Sequence, residues 1–346
     1  MFEYQQQLFS IIQVEDVNRL IQLLYRFIEI DEFKDIWLLS YMHLLKILLR
    51  SNELASDEIM RSIYASVHFI HSEHTQKNGV LAVSNMEVEC IVDVLKTWNT
   101  LQADITAHRI NNSTPVYISL FLKTLLLSLD MIHSTAKLNS KKTYSMFHHA
   151  IDLETRLQNL SISLHQMLLK AKLYPLNAIT ESLHNCLLVC YQCIREFVNS
   201  DHSRRKMTEL SIFSILTRQL NLLSEHDDNG NDNDHSDLIW QVIYHNLRIA
   251  SRLSLMETFR SQVNHNKELL QNYTCILQIL QHSFSKTNFG AQLSSASIQD
   301  RYFMPILSLT AFILGNLTTS NKKNRRLLGY DCQLISPLLC LLEVSI

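Results

Sequence analysis

Apolar side chains return every three or four positions along most of this chain, and strict apolar–polar alternation is sustained nowhere. Val17, Leu20, Ile21, Leu24, Phe27 and Ile28 form one such stripe, with Glu15 and Asp16 where acids complement a helix dipole. After Asp31 and Glu32 a second stripe runs through Phe33, Ile36, Trp37, Tyr41, Leu44, Leu45 and Leu48, ending near residues 50–52. A third helix is expected over 55–71. Ser84 and Glu87 then make the S-x-x-E of a capping box before Val88, Ile91, Val92, Leu95 and Trp98. Further helices are predicted over 116–133, 144–173, 175–199 with Pro175 as first residue, 207–223, 238–259 and 267–284, with two more closing the chain. The Asn-Asn-Ser-Thr-Pro series Asn111–Pro115 ends a loop from 104, and Ser285–Ser297 is a second connection. These signals divide the chain into an N-terminal helical block over 1–103, middle helical repeats over 116–223, a disordered acidic and Asn-rich insert over 225–237, and C-terminal repeats over 238–346.

Composition narrows the class. In 346 residues there are 5 glycines and 4 prolines, where average usage gives roughly 24 and 17. Sandwich, Rossmann and P-loop folds depend on glycine for turns and phosphate approach, so they are disfavoured and an all-α chain with polar turns is favoured. The formal charge of -2 and pI near 6.8 supply no general attraction to nucleic acid or anionic membrane. The longest apolar run, Tyr117–Ile132, is interrupted by Lys123 and reads as a buried helix, so no membrane insertion is expected. No basic leader followed by an apolar core opens the chain, and its 7 cysteines are an odd number. Reduced thiols in the cytoplasm, with the nucleus as an alternative, are the expectation. The N-x-[ST] triplets at Asn112, Asn159, Asn272 and Asn316 then count as chance matches.

The chain also resembles itself. Cys193–Leu210 and Ile313–Tyr330 align at an offset of 120, pairing Phe197 with Leu317, Ser200 with Ser320, Arg205 with Arg325, Lys206 with Arg326 and Met207 with Leu327. Val263–Leu270 repeats the turn and helix start less closely. Helix pairs that recur need neighbours to bury their faces, which predicts stacked layers. An apolar helix end, a polar turn with asparagine and basic residues, and a Leu-rich final helix together resemble armadillo and HEAT repeats. The resemblance implies an irregular right-handed α-solenoid. More narrowly, Leu187–Leu210 and Phe312–Leu328 are similar to two regions of the ataxin-10 family, although Gln192 and Glu196 depart from its pattern. That resemblance implies a non-catalytic interaction protein of the cytoplasm, with a role in cytoplasmic organisation or cell division and no cofactor.

Residues that could carry chemistry are few. Cys186, Cys190 and Cys193 share one helix face, and the last two make a lone C-x-x-C. A structural zinc site takes four ligands, and only His184 or His202 stands nearby, so core packing is the expected role. A metal- or thiol-dependent enzyme built on these cysteines is the alternative function. His68, His71 and His74 recur at three, and His148 and His149 point to different faces. Asp227–Asp237 is rich in ligand oxygens, but an EF-hand register on Gly230 puts Ser236 where a bidentate acid belongs. Arg204, Arg205 and Lys206 in one turn, with Lys322, Lys323, Arg325 and Arg326 in the other, fall at matching places in the self-comparison. They are the expected partner-binding residues, along one edge of a solenoid whose groove takes a peptide or helix of another protein. Nucleic acid is a third, less favoured partner, since no aromatics interleave with the cations. The apolar C-terminal end over 338–342 also points to self-association.

Overall fold

The computed structural model describes residues 16, 19, 34–49, 56–76, 85–108, 116–138, 153–172, 177–209, 233–263, 267–286, 298–319 and 321–331. Among the described residues there is no strand, and the segments are helices and the turns that join them. They comprise α1 (Lys34–Leu49), α2 (Asp57–Gln76), α3 (Asn85–His108), α4 (Val116–Leu138), α5 (Leu153–Lys172) and α6 (Asn177–Phe197). There follow α7 (Asp201–Glu209), α8 (Asn233–Leu253), α9 (Glu257–Val263), α10 (Lys267–Lys286), α11 (Ile298–Thr318), α12 (Lys322–Arg326) and a π-type turn, Leu327–Asp331. The chain is all-α, as its periodicity requires. Of the first predicted helix only Asp16 and Arg19 are described, both helical, while 144–152, the final Leu-rich segment, Pro175 and 210–232 lie outside the described residues.

Two compact units divide the chain, Met1–Cys193 and Ile194–Ile346. In the first, α2 packs along α4 and α1 against α3. Asp57, in the first turn of α2, accepts a bond from the Tyr117 N–H at 2.9 Å and so satisfies one of the free donors that open α4. His71 of α2 meets Asp130 of α4 at 2.7 Å. Thr97 donates to Leu49 O at 3.4 Å, which fastens α3 to the end of α1. Trp98 stacks on Phe121 at 6.3 Å between centroids and donates its indole N–H to Ser163 Oγ of α5 at 2.8 Å. An aromatic that buries its ring and satisfies its one donor can sit fully inside, and Trp98 does. The helix α4 is long and apolar enough to cross a bilayer, yet Phe121, Leu122, Leu125, Leu129 and Ile132 are buried within this core.

In the second unit α8 packs along α11, and α10 lies against α11. Tyr244 and Tyr302 approach to 5.4 Å between centroids, and Asn316 donates to Ser254 Oγ at 3.0 Å. Both pairs run forward along the two helices, so α8 and α11 point the same way. Phe259 and Val263 of α9, Leu270, Tyr273 and Leu277 of α10 and Leu328 complete the buried set.

Three places in this unit share one backbone pattern. After α6, the N–H groups of Val198, Ser200 and Arg204 bond to the carbonyls of Ile194, Phe197 and Ser200. After α8, Ser254, Met256 and Arg260 bond to Ala250, Leu253 and Met256. After α11, Thr319, Asn321 and Arg325 bond to Gly315, Thr318 and Asn321. Each long helix thus ends in one turn and restarts as a short helix, at offsets of 56 and then 65 residues. Side-chain burial follows the same register: Ser203, Phe259 and Asn324 are each wholly buried, and so are Met207, Val263 and Leu328. The first and third copies are therefore 121 residues apart, one more than the sequence alignment gave, and the middle copy is the turn after α8 rather than Val263–Leu270.

The periodicity predicted one helix over 238–259, but it breaks at Ser254–Met256. Ser254 folds its hydroxyl onto Ser251 O at 2.8 Å and Leu255 faces solvent, a stop made by serine with neither glycine nor proline to announce it. Arg204, Arg205 and Lys206, expected in a turn, lie instead within α7, which opens with Asp201 acidic in its first turn. The helix α8 begins at Asn233, so the last five residues of the expected insert are helical and 225–232 lies outside the described residues. Likewise α3 continues to His108, into the loop expected from 104.

Candidate functional site: a basic turn beside the open face of the last long helix

The cysteine face is built as core. Cys186, Cys190 and Cys193 are wholly buried, and their thiols donate to Leu122 O at 3.4 Å, Leu157 O at 3.3 Å and Leu129 O at 3.3 Å. Each thiol is spent on a spare carbonyl lone pair of a neighbouring helix, and burial pushes Cys186 up to about 12 and Cys190 upward further. A thiolate, the form that attacks or ligates, is thereby disfavoured. Among the described residues no three His, Cys, Asp or Glu side chains are grouped to hold a metal ion. His71 is engaged by Asp130, His68 is exposed beside Tyr64 at 5.8 Å, and the side chain of His74 lies outside the described residues. His148 and His149 lie outside them too.

The seven basic candidates divide by what they touch. Arg204 is held by Asp201 and donates to Val198 O at 3.3 Å, and Arg325 donates to Thr318 O at 3.2 Å. These two occupy the same place in their copies, and each donates to a carbonyl at the end of the preceding long helix. Arg205, Lys322, Lys323 and Arg326 are exposed, and the side chain of Lys206 lies outside the described residues. Within the third copy the cations are set on α12, opened by Asn321, whose side chain accepts from the Asn324 N–H at 3.0 Å. Asn324 turns inward and donates to Leu317 O at 2.9 Å, so the one polar residue between the cations anchors them to α11. No described carboxylate pairs with Lys322, Lys323 or Arg326.

Beside this turn lies a surface that the periodicity did not reveal. Met304, Pro305, Ser308, Ala311, Phe312, Gly315 and Thr319 are exposed along one side of α11, with Met304 at 58% and Phe312 at 48%. Between Tyr302 and Asn321 there is no charged residue. A solvated helix face ordinarily carries charge, and that twenty-residue uncharged run was the available signal. A side chain added at Gly315 would meet nothing within 4 Å.

The comparisons with known proteins return nothing. No protein-family model, curated protein or solved structure matches this chain.

Proposed function

We propose that this chain is a non-catalytic binding scaffold: an irregular right-handed α-solenoid of armadillo- or HEAT-like repeats whose partners are other proteins. The observation that supports this reading most is the threefold turn, in which Ser200, Met256 and Asn321 each accept from the residue four positions on and three equivalent side chains plug the same site. Recurring helix–turn–helix units make long surfaces without a catalytic cleft, and such surfaces hold peptides or helices. A cytoplasmic role in cell organisation or division, as in the ataxin-10 family, is the narrower form of the proposal.

The test is quantitative capture on the intact, tagged chain. It is compared with the variant carrying Lys322→Glu, Lys323→Glu, Arg325→Glu and Arg326→Glu, both checked for equal helicity by circular dichroism. The scaffold reading expects a protein retained in near-stoichiometric amount and rebinding saturably after purification. Retention of nothing above a tag-only control would overturn it.

A further inference from the structure

The outward face of α11 is exposed where its counterparts in the two other copies are buried. Positions along it correspond, through the shared turn, to positions on α8 and α6. Ser308, Ala311, Phe312, Gly315 and Thr319 match Ile243, Asn246, Leu247, Ala250 and Ser254 at an offset of 65, and Leu187, Cys190, Tyr191, Ile194 and Val198 at 121. Every one of those ten counterparts is buried, while all five positions on α11 are exposed. The same side of a long helix is interior twice and surface once. On α8 this side lies against α11, because Ser254 accepts from Asn316 at 3.0 Å. Among the described residues no helix covers the five exposed positions of α11.

The last copy also differs in charge where such a helix would end. The short helices begin with Asp201, Glu257 and Lys322 respectively, and the following residues are His202, Thr258 and Lys323. Lys322 stands where the other copies have an acid and Lys323 where they have a histidine or threonine, while Arg326 matches Ser261 in the middle copy and Arg205 in the first. Ser254, at the end of the covered face of α8, is three residues before Glu257; Thr319 is three before Lys322. A helix lying on α11 as α11 lies on α8 would finish beside these cations. The helix α7 starts 32 residues before α8 and α9 starts 41 before α11, with α10 starting 10 residues after α9 does.

We propose that α11 receives an amphipathic helix of another protein. It runs parallel to α11, places its apolar side on Met304 and Phe312 across the low ground of Ser308, Ala311 and Gly315, and carries acidic residues at its C-terminal end against Lys322, Lys323 and Arg326. Small residues between two large ones let a helix approach closely, and opposite charge at one end sets its direction. This proposal rests on the scaffold reading and names the partner class for one face of it.

Photo-crosslinking in cells tests it on the full chain. p-Benzoylphenylalanine is placed at Met304 or at Gly315, where open space admits it, and at exposed Arg252 of α8 as a control. The expected result is one partner protein linked from both α11 positions, with the Met304 link nearer the N-terminus of a single amphipathic segment and the Gly315 link nearer its acidic end. Lys322→Glu with Lys323→Glu should lower the yield about tenfold, as should Phe312→Glu in the Gly315 reporter. Links confined to residues 332–346, to a second copy, or no higher than the Arg252 control overturn the proposal. Links in reversed order, or indifferent to the lysine reversals, overturn it too. A partner captured equally well by Phe312→Glu would leave the scaffold reading standing and remove this seat alone.

Discussion

Cys186 sits in a core with its thiol hydrogen on Leu122 O at 3.4 Å, and its acidity is held down accordingly. The sign of the consequence is fixed. The folded chain prefers the protonated thiol, so this stabilisation is whole below the ordinary thiol value near 9 and is lost as pH rises toward about 12. At most about 1.4 kcal/mol per pH unit is at stake for one such group. Thermal unfolding followed by circular dichroism from pH 8 to pH 11 should show a falling Tm whose slope is shallower in Cys186→Ala; equal slopes would refute the assignment. The spacing of Cys186, Cys190 and Cys193 made their shared face legible in the sequence. Their partners were not, because carbonyls 33 to 64 residues away accept the bonds.

Helices as elements were legible wherever an apolar stripe of three and four met an acid in the first turn, as at Asp57 and Glu58 of α2 or Glu268 of α10. The turns were less so. Ser254 and Asn321 stop or start helices through side-chain oxygens, and serine or asparagine inside a periodic run carries no unique mark. The 120-residue self-alignment was consequently one residue short of the hydrogen-bonded register. Asn321 is the clearest case for a test, since its side chain caps α12 at 3.0 Å. Asn321→Ala should cost about 1 kcal/mol, measured by urea unfolding. Asn321→Asp or Asn321→Ser should restore most of it, and a loss that neither recovers would mean that capping is not its role.

For the whole molecule the burial of equivalent positions is the discriminating property. Leu247 and Phe312 occupy one repeat position, the first wholly buried and the second 48% exposed. Leu247→Ala should destabilise the chain by about 2–5 kcal/mol, whereas Phe312→Ala should change stability by less than about 0.5 kcal/mol. Comparable losses in chemical denaturation would show that α11 is covered within the isolated chain. Sequence reasoning could identify α11 as apolar but could not say which side stays open, since outward and inward residues there are both uncharged.

The bond from the Tyr117 N–H to Asp57 has a consequence during synthesis. Nothing acidic in α4's own first turn favours its start, so a residue 60 positions earlier supplies the acceptor. Since α2 precedes α4 in the chain, the helix that covers this apolar side is made before it. A chain lacking 57–76 would present Val116–Lys137, a stretch as long and apolar as a membrane anchor, without that cover. Loss of the deletion variant from the soluble fraction is then the expected failure, and recovery in a carbonate-resistant membrane fraction separates misdelivery from simple aggregation.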